Sequence, residues 1–257
     1  MRTPLPARVL FAALVVATLA AACDDATDTP TEAATQQDLD ETARVVGALM
    51  AADQGGDLAT VRASAHLALG DDASGMGLNA DGRFEGTHLG IHYLLELECY
   101  EDSGGATSCG DDVTTSADLV ASWSGALEVG GLSVQSELSG DWMIDGLDKE
   151  TAVFDGDSSA RLDVTLELGQ QRRTLHVSAS AVYDKVLLDT ASGRTVGGAA
   201  TYALDVERLA TGPKGTHRAL INADARVTFG EDATASLQLS GSSYLVHLDT
   251  GTVDRVE

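Results

Sequence analysis

The chain has 257 residues, 44% of them apolar and only 4% aromatic, and a formal net charge of -24. Length and apolar content suffice for a cored globular domain. So acidic a surface repels phosphate backbones, which excludes nucleic acid as a partner; it suits cations or basic partners, and its simplest reading is a solvated acidic coat.

In chain order, Arg2 and Arg8 are followed by an uncharged run over residues 9–22 and then by Cys23. Charged, apolar and small residues in that order make a secretory signal. The apolar run is too short to span a bilayer comfortably as a helix. The stretch Leu19-Ala20-Ala21-Ala22-Cys23 resembles the lipobox of bacterial lipoproteins, although Leu19 stands four residues before the cysteine, where that family prefers three, and Ala20 takes the preferred place. The resemblance implies that residues 1–22 are a cleaved signal peptide and that Cys23 carries a diacylglyceryl group holding the protein to a membrane of the cell envelope. Ordinary signal-peptidase cleavage at an A-x-A site is the alternative. Two acyl chains anchor stably where one does not. Asp24, next to Cys23, resembles the inner-membrane retention signal of enteric lipoproteins, a rule that varies among bacteria, so inner and outer membrane both stay open. Cleavage would remove Arg2 and Arg8 but no acid, taking the formal charge from -24 to -26.

Residues 23–36 hold Asp24, Asp25, Asp28 and Pro30 among Thr and Ala, without apolar periodicity, and read as a flexible acidic tether. Thr35 and Asp38 resemble a capping box, after which Leu39, Ala43, Val46 and Met50 recur at helical spacing, stopped by Gly55-Gly56. Residues 57–69 fit either period. Their alanine content favours a helix, making residues 37–69 a helical segment.

From Phe84 the period becomes two and stays so. Ile91, Tyr93, Leu95, Leu97 and Cys99 alternate with polar neighbours, then Ala117, Leu119, Ala121 and Trp123, then Leu162, Val164, Leu166 and Leu168 against Arg161, Asp163, Thr165 and Glu167. Roughly ten such runs with short links predict a mainly β domain over residues 70–257: an antiparallel meander with one apolar face. Such a sheet must curl, as a curved open sheet or an up-and-down barrel, with a two-sheet sandwich as the alternative. Charged polar faces and the lack of aromatic girdles argue against an outer-membrane barrel. Asp189-Thr190-Ala191-Ser192-Gly193 and Asp249-Thr250-Gly251 follow apolar runs and point to shared turn chemistry.

Cys99 and Cys109 flank a Gly-rich stretch and, in an exported protein, read as a disulfide. His88 and His92 have the helical spacing of a zinc pair, but a strand holds residues four apart about 13 Å from each other, so the metal reading fails with the strand assignment. Gly156-Asp157-Ser158-Ser159 resembles the nucleophile block of GDSL-type esterases, but the Asp-x-x-His pair near the C-terminus is missing, and the stretch reads as a turn between strands. Asn79-Ala80-Asp81-Gly82 matches the middle of an EF-hand loop whose first and last ligand positions are Gly77 and His88; Asp155 and Asp157 add two carboxylates without a loop. No catalytic, cofactor or metal site is therefore assigned, and the chain is not read as an enzyme.

With Cys99-Tyr100-Glu101-Asp102, Trp123-Ser124-Gly125 and Asp189-Thr190-Ala191-Ser192-Gly193, the mature part resembles uncharacterised acidic envelope lipoproteins of Gram-negative bacteria. The resemblance implies an envelope location and a β-fold. Two functions remain: binding of a lipid or other apolar ligand inside a curved sheet, or a structural or protein-interaction role with a filled core. The small inward residues Ala117, Ala121, Ala179, Ala181, Ala223 and Ala225 could serve either.

Overall fold

The computed structural model describes residues 35–256 apart from 54, 72–74, 89–90, 130–131, 169 and 214. Residues 1–34, which include the expected signal peptide, Cys23 and most of the expected tether, lie outside the described residues. Two helices, α1 (Gln36–Met50) and α2 (Asp57–Ala68), precede the strands.

α1 begins as its sequence dictates. The Asp38 carboxylate accepts from the Thr35 backbone N–H at 2.9 Å, and the Thr35 hydroxyl oxygen accepts from the Asp38 N–H at 3.3 Å. Leu39, Ala43, Val46 and Met50 form its buried stripe. α2 settles the ambiguous residues 57–69 as helix. Its N-cap Gly56 gives no side-chain cap, and a Cβ there would stand 2.4 Å from the Leu49 carbonyl oxygen, so no capping Ser or Asp fits. At the other end Gly110 N–H donates to the Ala68 carbonyl at 2.9 Å, so the disulfide loop satisfies the helix C-terminus.

The strands are β1 (Met76–Leu78), β2 (Phe84–His88), β3 (Ile91–Glu101), β4 (Ala106–Thr107), β5 (Thr114–Val129), β6 (Leu132–Asp145), β7 (Thr151–Leu168), β8 (Gln171–Asp189), β9 (Thr195–Gly212), β10 (Gly215–Phe229), β11 (Thr234–Leu239), β12 (Ser242–His247) and β13 (Thr252–Val256). They form one antiparallel meander in sequence order, with β4 beside β3. β1 and β13 are not paired to each other, so the sheet is open and the barrel alternative is set aside.

Alternation sorts the side chains as the sequence predicts. Leu162, Val164 and Leu166 are buried and Glu167 is exposed. Inner-face residues are buried from Leu95 on β3 to Val246 on β12, so the sheet bends over its own apolar face and the helices fill the remainder. Closeness of fit is visible where α1 crosses the β12–β13 turn. A Cβ on Gly47 would sit 2.4 Å from the Gly251 carbonyl oxygen, so Gly47→Val should displace the helix and lower the melting temperature markedly in a thermal melt.

Cys99 and Cys109 form the disulfide, with Cα atoms 5.2 Å apart. The residue paired with Cys99 across the β3–β4 hairpin is Thr107, so the bond joins Cys99 to the residue two beyond β4. Breaking it as Cys99→Ser with Cys109→Ser should cost about 2–3 kcal/mol. Alkylation of the denatured, unreduced protein should leave both thiols unmodified, and two modified thiols would refute the bond.

Candidate functional site: a buried polar clamp and a polar outer face

The inner face holds polar groups that the periodicity did not reveal. Asp57, the first residue of α2, is buried against the sheet at 1% exposure. Its Oδ2 accepts from the Ser158 hydroxyl of β7 at 2.7 Å and from the Tyr183 hydroxyl of β8 at 2.5 Å. Tyr183 in turn lies 2.7 Å, hydroxyl to hydroxyl, from Tyr202 of β9. Oδ1 has no hydrogen-bond partner among the described residues. Burial pushes the Asp57 carboxyl up to about 6, against the smaller opposing effect of its two hydroxyl donors. Tyr183 and Tyr202 are raised well above their ordinary value, first by burial and then by the nearby Asp57.

Ser158 corrects the sequence reading. The stretch Gly156-Asp157-Ser158-Ser159 is not a link between strands; it lies inside the 18-residue β7. Gly156 sits at a bulge where the register with β8 shifts, at φ +147°, and a Cβ there would meet the Asp141 carbonyl at 2.1 Å. Trp142 fills the space that Gly140 and Gly156 leave, and the indole is 1% exposed. These two glycines thus make room for one of the protein's own side chains. Ser158 is buried and its hydroxyl donates to a carboxylate rather than to an imidazole, so it is held as a structural donor.

A second cluster binds α1. Arg208 of β9 reaches Asp38 at 2.5 Å and Glu41 at 3.9 Å. Burial raises the Glu41 carboxyl, while Arg208, then its hydrogen bond from Gln37, then Arg173 of β8, pull it down. Tyr244 of β12 donates to Asp40 at 2.9 Å. Both helices are therefore fixed to the sheet by buried or half-buried polar contacts as well as by apolar packing.

The other singled-out residues fall elsewhere. His88 and His92 lie on two strands of a hairpin, paired with Ile91 and Thr87 respectively, and the His92 imidazole lies 2.8 Å from Glu85. Asn79 makes the β1–β2 turn, its side-chain oxygen accepting from the Asp81 and Arg83 N–H groups at 3.0 Å. Asp155 accepts from the Lys185 N–H at 2.6 Å, across from the bulge. Among the described residues no group of three His, Cys, Asp or Glu is placed to hold a metal ion. Gly193 and Gly251 close the two similar turns at φ +66° and +68°, and Arg194 of one turn faces Asp249 of the other at 4.0 Å.

The outer face is polar and built of small side chains. Ser122, Ser139, Ser159 and Ser180 stand opposite one another across β5 to β8, and the Ser139 and Ser159 hydroxyls are 2.9 Å apart. Ser122, Ser139 and Ser159 of this row floor an open groove of about 500 Å³ flanked by His92, Glu137 and Arg161. A second open groove, about 650 Å³, runs from Val182 and Thr201 past Asp224 and Arg226 to the β11–β12 turn. Comparison of the chain with protein-family models, curated proteins and solved structures returned no match.

Proposed function

We propose that the chain is a lipid-anchored, non-enzymatic interaction protein of the cell envelope, with a self-filled interior and a free outer face. The observation that carries this reading is the packing of the inner face. Trp142 occupies the space over Gly140 and Gly156, Asp57 clamps α2 to β7 and β8, and Arg208 holds α1, so the room in which a curved sheet would keep an apolar ligand is taken by the protein itself. Open grooves lie instead on the polar outer face. The envelope location rests on the order of residues from Arg2 to Cys23, and the Cys99–Cys109 disulfide suits an oxidising compartment.

Native mass spectrometry of protein extracted from membranes tests both parts. The expected mass is that of the chain from Cys23 onward plus a diacylglyceryl group, without further small molecule; a stoichiometric apolar ligand would reject the filled interior in favour of a lipid carrier. Cys23→Ser should leave the membrane fraction, and unchanged partitioning would reject the anchor.

A further inference from the structure

β10 is paired unevenly. β9 accompanies it from Gly215 to Thr228, whereas β11 covers only Ala225 to Phe229. On the side away from β9, residues 215–224 border no strand among the described residues. At the usual rise this leaves about 33 Å of open main chain.

Proteins normally blunt such an edge with proline, a bulge, lysine or an inward charge. None of these devices is present over residues 218–224. The stretch has no proline, its register with β9 does not shift, and Arg218 and Asp224 are both exposed on the outer face while Ile221 and Ala223 turn inward. Arg218 is already neutralised by Glu207 at 2.5 Å. Asp224 and Asp205 of β9, which stands opposite Asn222 and so diagonal to Asp224, make no ion pair or hydrogen bond among the described residues. Asp224 also opens the groove of about 650 Å³, which continues to the Ser240–Gly241 turn where β11 ends.

We propose that the open edge of β10 is a docking site that takes an extended, basic segment of a partner protein as an added strand. The inference rests on the reading of the chain as an interaction protein. Main-chain hydrogen bonds to the part of residues 215–223 short of the Ser240–Gly241 turn supply affinity, and a lysine or arginine placed opposite Asn222 lies beside two unpaired carboxylates, Asp224 two residues along β10 and Asp205 across from Asn222. A second copy of the chain fits less well, because two bodies of charge -24 repel each other.

The probe is a nine-residue synthetic peptide of alternating lysine and valine or threonine, compared with versions carrying proline at every second position or glutamate in place of lysine. Amide hydrogen exchange of the full chain should slow by about tenfold or more at residues 215–223 with the first peptide alone. Asp205→Asn with Asp224→Asn should weaken that effect several-fold. Equal slowing by the proline peptide would mean diffuse charge attraction and would overturn the proposal, as would no slowing at all. Protection already present in the free protein, together with a dimer in sedimentation, would also overturn it and assign the edge to a second copy. An apolar ligand inside the sheet, which would reject the functional reading, would leave exchange at this edge unchanged, so the two failures are distinguishable.

Discussion

Leu119→Asp is expected to unfold the domain at neutral pH, whereas a substitution one residue further along the same strand should barely register. Leu119 is fully buried between Leu97 and Trp142, and the cross-strand neighbours supply no cation. The substitution forfeits about 2–3 kcal/mol of apolar burial and adds the cost of an unpaired carboxylate in an apolar layer, several kcal/mol more. Together these rival the whole stability of a domain, about 5–15 kcal/mol. Val120 is 53% exposed and stands opposite Glu96 and Asp141, so Val120→Lys places a cation between two acids. Its melting temperature should stay within about 4 °C of the parent, the shift that about 1 kcal/mol produces in a domain this size. Equal losses in the two variants would reject the one-sided sheet. Leu166→Asp would be a poorer test, because Arg173 lies directly opposite and could pair with the new carboxylate.

The second large effect is pH dependence at Asp57. The folded carboxyl is pushed up to about 6 from an ordinary 3.8, so the folded state holds the proton more tightly than the unfolded chain does. The resulting stabilisation is fully present below pH 3.8 and is lost as pH rises through 6. A shift of this size corresponds to about 3 kcal/mol. Asp57→Asn keeps an acceptor for Ser158 and Tyr183 but cannot ionise. Chemical denaturation at pH 5 and pH 7.5 should therefore show the parent losing about 1.4 kcal/mol more than the variant between those two values. Parallel pH profiles would refute the assignment. Asp57→Ala, by contrast, strands the Ser158 hydroxyl, leaves Tyr183 only its contact with Tyr202, and should destabilise at both pH values by about 1–3 kcal/mol.

These two sites differ in how far the sequence reveals them. Leu119 is legible because period-two alternation encodes which face is dry, and the same rule placed Leu162, Val164, Cys99 and Trp123 inside. The Thr35–Asp38 capping box was equally local, three residues apart. Asp57, Ser158 and Tyr183 were not legible, because their contacts span 101 and 126 residues and each looks unremarkable in its own segment. Gly156-Asp157-Ser158-Ser159 misled for a physical reason: its composition is that of a turn, but the glycine is demanded by the indole of Trp142 and a bulge inside a long strand. The free edge of β10 follows from a mismatch of lengths, 15 residues against 6 in β11, which alternation alone does not measure.

The filled inner face is the claim on which the functional reading depends, and hydrogen exchange of α1 and α2 tests it most directly. Below pH 6, where the Asp57 carboxyl is protonated, amides in the middle of both helices should exchange only through the same global opening as those of β7, β8 and β9. Helix amides that exchange orders of magnitude faster than those strands would show that the inner face opens while the sheet stays folded, and would contradict the account.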